Sequence, residues 1–233
     1  MVREITHTSD LTGSALRLFE AEMRRSVLER GRFVVALSGG STPKSLYHAL
    51  TERSELPWDK TLVFWGDERF VPHDDPDSNY LAAREVFLDA LPIPAGNIHP
   101  WPAPDEGLGL EEAAERYADT LRAVLGDPPT FDLQLLGLGD DGHTASLFPG
   151  TSALHAQGLT VACRPERVPQ PRLSLTASAL SNSRTVVFLV SGESKRAALV
   201  ATLQSAGDED RYPARAVRAL ERLVWLTDLP LKV

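Results

Sequence analysis

The segment 132–150, DLQLLGLGDDGHTASLFPG, sets Asp140, Asp141 and His143 in a turn hinged by Gly137, Gly139 and Gly142. An apolar run leads directly into that turn, so these groups stand at a strand end where a small substrate can reach them. A neutral imidazole there can take a proton from water, and a carboxylate beside it can orient the ring and stabilise its charged form. Asp141 and Asp140 are both open to that second task. The glycines let the backbone bend sharply and approach a ligand closely, while Thr144 and Ser146 suit the start of a short helix with free amide donors.

Three more polar turns follow apolar runs. After FVVAL comes SGGSTPKSL, where Gly39 and Gly40 permit an anion nest, Ser41 or Thr42 can cap the next helix, and Pro43 fits its first turn. After TLVFW comes GDERFVPHDDPDSNY, with Asp67, Glu68 and Arg69 at the strand end. Arg69 can clamp a phosphate or carboxylate in bidentate fashion, or form an ion pair with a neighbour. After RTVVFLV comes SGESKRAAL, with Lys195 and Arg196 in a first helical turn. Cations there oppose the helix dipole unless an anion sits between them and the amides, which favours substrate binding by Lys195. Arg196 is assigned to solvent or an acidic partner, and Arg172 in QPRLSLT is a further candidate for the pocket.

Other chemistries fit less well. Gly137, Gly139 and Gly142 match the spacing of a dinucleotide fingerprint, but two aspartates in the loop would repel a pyrophosphate and Pro149 stops the following helix. There is no GxSxG elbow, no HExxH and no paired CxxC, and Cys163 has no local partner. His73, Asp74, Asp75 and Asp77 lack the glycine and terminal glutamate of a calcium loop. Neither metal nor cofactor is expected.

The elements that must position these turns are legible as short apolar runs at 33–37, 61–65, 132–137, 184–190 and 222–226, which read as buried parallel strands. Helical patterns lie between them at about 11–30, 43–52, 78–89, 111–125, 193–204 and 213–220. Strand then helix, repeated, predicts an α/β fold with ligands collecting beyond the carboxyl ends of the strands. Residues 91–109 read as a long surface connection, and 158–176 as an extra pair of strands at one sheet edge. The 233 residues, 42% hydrophobic, are read as a single α/β domain spanning 1–233. A net charge of −8 argues against nucleic acid or an anionic membrane as partner. One cysteine, no apolar leader and no apolar run of about 20 residues point to the cytoplasm, and a monomer is compatible with all of this.

In that order, LSGGSTPKSLY, FWGDERFVPHDDPDSNY, LLGLGDDGHTASLFPG and SGESKRAAL resemble the motifs of the 6-phosphogluconolactonase family, within the sugar-phosphate isomerase and deaminase superfamily. The likeness spans almost the whole chain. It implies a Rossmann-like, mostly parallel sheet flanked by helices, no required cofactor, and hydrolysis of 6-phospho-D-glucono-1,5-lactone to 6-phosphogluconate, the second step of the oxidative pentose phosphate pathway. It further implies His143 as general base with an acidic partner, and Gly39, Gly40, Ser41 and Thr42 around the phosphate with Arg69 and Lys195. Asp67 and Arg172 complete the expected pocket, and backbone amides or Arg69 are expected to stabilise the oxyanion. Glucosamine-6-phosphate deaminases share a DGH turn but continue with a glutamate-bearing FNEP-type sequence. TASLFPG stands here instead, which favours lactone hydrolysis. A noncatalytic sugar-phosphate sensor is the alternative from another class, and a missing histidine would be its signature; His143 is present.

Overall fold

Short, predominantly apolar runs suit strands covered on both faces, and the computed structural model, which describes residues 2–166, 168–204 and 208–230, places them so. The strands β1 (Val2–His7), β2 (Phe33–Leu37), β3 (Thr61–Trp65), β5 (Phe131–Leu136), β8 (Ser183–Val190) and β9 (Arg222–Thr227) form one sheet in the order β1-β9-β8-β5-β2-β3. Every pairing in it is parallel. All side chains of β2 and β5 are buried. Helices α1 (Leu11–Arg30), α2 (Ser41–Leu50), α3 (Asn79–Val86), α4 (Leu110–Leu125), α5 (Ala177–Ser181) and α6 (Arg196–Gln204) connect or flank them.

Local chemistry sets the helix ends. Asp10 Oδ1 accepts the Gly13 N–H at 2.8 Å to start α1, and Gly31 at φ +74° ends it in a left-handed turn. Ser78 caps α3 through the Leu81 N–H. Helix α2 departs from expectation, since Gly40 is its N-cap and neither Ser41 nor Thr42 supplies a side-chain cap. No side chain therefore caps that helix start, which leaves its amides available to an anion.

The chain runs outward from β2 to β3, and then returns to place β5 on the other side of β2. Loops leaving β2 and β5 diverge there, opening a crevice at the carboxyl edge of the sheet.

The structure corrects several sequence expectations. The strand pair within 158–176 is β6 (Thr160–Cys163) and β7 (Arg172–Leu175), and it does not extend the main sheet. It joins β4 (Asp67–Arg69) in a separate antiparallel sheet ordered β4-β7-β6. Neither β4 nor β1 was expected, because three charged residues and a polar VREITH lack the apolar signal of a strand. The helix expected at 213–220 is a single 3-10 turn, Pro213–Ala216, followed by extended Val217. The one expected at 193–204 divides into a 3-10 turn, Glu193–Lys195, and α6. No short helix follows the DDGH turn: Ala145 takes φ +46°, and Thr144 and Leu147 form an isolated antiparallel bridge. Finally, 91–109 is more than a surface connection, since Trp101 is buried, stacks on Tyr117 at 3.7 Å and donates to the Trp65 carbonyl.

Candidate active site

Beyond the carboxyl ends of β2, β3, β5 and β8 lies a cavity of about 260 Å³. Its walls come from Ser38–Pro43, from Asp67, Arg69 and Asn79, from 137–139 with 143–145, and from 189–191 with Lys195. The four polar turns singled out in the sequence thus meet around one space.

The catalytic candidates sit on the turn after β5. His143 Nδ1 lies 2.6 Å from Asp141 Oδ1, and the same oxygen accepts the His143 backbone N–H at 3.0 Å. Burial pushes the Asp141 carboxyl up, but these contacts with His143 outweigh it and hold the group below its ordinary value. An ionised carboxylate on Nδ1 fixes the ring and leaves Nε2 for the substrate side. Asp140 takes no part in this: its side chain is exposed and pairs with Lys195.

Close packing explains the glycines of this turn. A Cβ on Gly139 would stand 2.0 Å from His143 Nδ1, and the Gly139 N–H closes the turn onto the His143 carbonyl at 2.8 Å. Gly142 adopts φ +86° against the ring of Tyr212, a conformation and a contact that both exclude a side chain. Thr144 Oγ1 donates to the Gly137 carbonyl, and Ser146 Oγ donates to Asp67 Oδ2 at 2.7 Å. The turn is thereby tied to the start of β4, just beyond β3.

On the opposite wall, the Tyr47 hydroxyl of α2 donates to the Ser38 carbonyl at 2.7 Å and accepts the Ser38 N–H at 3.1 Å, which anchors the start of the Gly39–Thr42 turn. Arg69 donates to the Asp77 carbonyl and forms no ion pair among the described residues, so its charge stays available to a ligand. Glu68 holds the Arg69 backbone in place. Its carboxylate accepts the N–H groups of Arg69, Asn79 and Tyr80 and the hydroxyl of Ser78. Burial pushes Glu68 up to about 7 against the pull of the Asn79, Tyr80 and Arg69 amides.

Two expected residues do not line the cavity: Asp141, which stands behind His143, and Arg172. Arg172 is the more remote in role. It lies opposite Arg69 in the β4–β7 register and is buried, with no hydrogen-bond partner on Nε. Burial and the neighbouring Arg69 charge pull it below the ordinary arginine value, against the attraction of Asp67. Arg196 pairs with Glu193, as a surface arginine should. Sequence reasoning missed Ser38, Asn79 and Ser191 as lining residues. Asn79 reads locally as part of a helix start, and only its position after a strand-end loop could have drawn attention to it.

Among the described residues, no three His, Cys, Asp or Glu side chains converge as metal ligands, and no helix is long and apolar enough to cross a membrane. The arrangement offers a base, an ionised partner for it, two cations and open helix amides around one small space. That set suits a hydrolytic attack by water on a compact anionic substrate.

Comparison with known proteins gives the same direction. A family model described as glucosamine-6-phosphate isomerases/6-phosphogluconolactonase matches residues 6–225. The 6-phosphogluconolactonase of Synechocystis sp. is 45% identical over 218 residues, covering 92% of this chain and 89% of that protein. The crystal structure of 6-phosphogluconolactonase from Thermotoga maritima shares 31% identity at a TM-score of 0.85, over 97% of this chain and 98% of that one. A monomeric glucosamine-6-phosphate deaminase aligns at a TM-score of 0.81 and 24% identity over 97% of each chain, a likeness of fold alone.

Proposed function

Because the chain belongs to the family of glucosamine-6-phosphate isomerases and 6-phosphogluconolactonases, we propose that it hydrolyses 6-phospho-D-glucono-1,5-lactone to 6-phosphogluconate, the lactone-opening step of the pentose phosphate pathway. The observation that carries this reading is the Asp141–His143 pair facing a cavity whose far wall is an uncapped helix start.

His143 takes a proton from water as the water oxygen bonds to the lactone carbonyl carbon. Negative charge then grows on the carbonyl oxygen, where backbone amides of the turns stabilise it. The bond from that carbon to the ring oxygen breaks, the imidazolium returns its proton to the leaving oxygen, and the carboxylic acid formed ionises to solvent. Asp141 stabilises the charged ring between the two transfers. The phosphate lies against Gly39, Gly40, Ser41 and Thr42 with Arg69 and Lys195, the latter exchanging Asp140 for the substrate. Asp67, held by Ser146, faces the sugar hydroxyls. Arg172 acts from behind, adding positive potential to the wall that carries Arg69. One cysteine, Cys163, which is free, fits a reducing compartment, so a cytoplasmic location is part of the proposal.

Proton NMR of freshly prepared 6-phosphogluconolactone, with and without protein, tests the reading. Hydrolysis well above the spontaneous rate is expected, with no ammonia from glucosamine 6-phosphate. Absence of acceleration would leave a binding protein, and ammonia release would make it a deaminase.

A further inference from the structure

Gly39 is glycine for a reason unrelated to backbone freedom. Its φ lies outside the left-handed region, unlike that of Gly40 at +103°. What excludes a side chain is Asn79: a Cβ on Gly39 would stand 2.0 Å from Asn79 Oδ1 and 2.7 Å from its Cγ. Asn79 is the first residue of α3, is 5% exposed and lines the cavity beside Gly39. Its backbone N–H is held by Glu68 Oε1 at 2.7 Å, and its Nδ2 donates to the Asp67 carbonyl at 3.0 Å. One buried amide thus touches both walls of the site, bonded to the strand end on one side and wedged against the anion turn on the other.

We propose that Asn79 is a positioning residue that sets the gap between the phosphate turn, Gly39–Thr42, and the Asp67–Arg69 wall, with Gly39 as its obligatory steric partner. This rests on the lactonase reading above. In such a substrate the phosphate and the carbonyl are held apart by a covalent ring, so a site that grips both must hold its own walls at a matching distance. A hydrogen-bonded side chain with few rotamers does that better than an apolar contact.

The test pairs Gly39→Ala, Asn79→Ala and the double variant, with titration calorimetry of inorganic phosphate, thermal melts, and kinetics on phosphorylated and unphosphorylated gluconolactone. Gly39→Ala drives a methyl into the amide and is expected to weaken phosphate binding about tenfold, the usual scale of one overpacked contact. Asn79→Ala only removes atoms; it should weaken phosphate less and raise KM for the phosphorylated lactone more than it lowers kcat. The double variant should bind phosphate better than Gly39→Ala alone, because the collision is gone. If Gly39→Ala does not fold but the double variant does, the coupling is read directly. Losses that simply multiply, phosphate binding unchanged in Gly39→Ala, or a double variant that fails to fold while Asn79→Ala folds would each overturn the proposal. The calorimetry needs no turnover, so it stands even if the wild-type protein fails to open the lactone, whereas wild-type protein that opens the lactone but binds no phosphate overturns this proposal alone.

Discussion

Both ends of the main sheet carry charged side chains and use them in opposite ways. At the amino ends of the strands, Arg30 binds Asp132, Arg184 and Arg25 bind Glu221, and Arg222 bridges Glu4 and Glu22. Glu22 and Asp132 are buried there, and Asp132 also accepts the Val34 N–H of the sheet itself. Each charge in that network is consumed by another. At the carboxyl ends, among the described residues, Arg69 is bonded only to a carbonyl, Arg172 has no ion pair, and Lys195 holds an exposed aspartate that an anion can replace. Charge alone therefore does not mark the site. What marks it is charge left over after the fold has satisfied itself, which is the condition for attracting a ligand.

The sharpest break between the two ends is His143→Ala. Loss of a general base should lower kcat by about 10²- to 10⁴-fold while phosphate binding by calorimetry is nearly unchanged, since base and anion turn come from different loops. Near-wild-type turnover in a folded variant would remove His143 from the mechanism. Because the base must be neutral to accept a proton, the wild-type rate over background should fall in acid, and a flat profile would contradict a histidine base.

Cationic side chains distinguish the ends next. Arg69→Ala and Lys195→Ala should each reduce kcat/KM for the phosphorylated lactone by roughly ten- to a hundredfold, and much less for unphosphorylated gluconolactone. Arg222→Ala should leave both values alone and instead cost up to about 3 kcal/mol in urea denaturation, because Glu22 loses one of its two partners while buried. Equal losses on both lactones would move Arg69 from the phosphate to the reacting carbonyl.

Gly139→Ala probes the turn itself. The added methyl collides with the imidazole, so kcat is expected to drop about tenfold with little change in KM. Wild-type kcat would show that the ring can shift without penalty.

The smallest effect is on stability against pH. Asp141 is held below its ordinary value in the folded protein, so its contribution is fully present above the ordinary carboxylate range and is lost as pH falls through the folded value. Thermal melts of wild type and Asp141→Asn should therefore differ most near neutrality and converge in acid. Glu68, pushed up to about 7, acts oppositely: its ionisation lowers stability as pH rises from its ordinary 4.5 through 7.

Much of this was legible in the sequence by itself. The strands at 33–37, 61–65, 131–136, 183–190 and 222–227 follow from short, predominantly apolar runs, and the turns after four of them follow from glycine and helix-start chemistry. Those signals are local: a strand, a turn or a cap is decided by residues a few positions apart, so single segments carry them. Only the tertiary structure decided that Asp141 and not Asp140 meets the imidazole, since the two are neighbours of equal chemistry and Lys195, from the turn after the neighbouring strand β8, draws the other away. It alone placed Arg172 opposite Arg69, because strand register between β4 and β7 depends on a sheet that neither segment announces. It alone showed why Gly39 must be glycine: the atom that would strike its side chain belongs to Asn79, brought there by the packing of α3 and invisible to any local pattern.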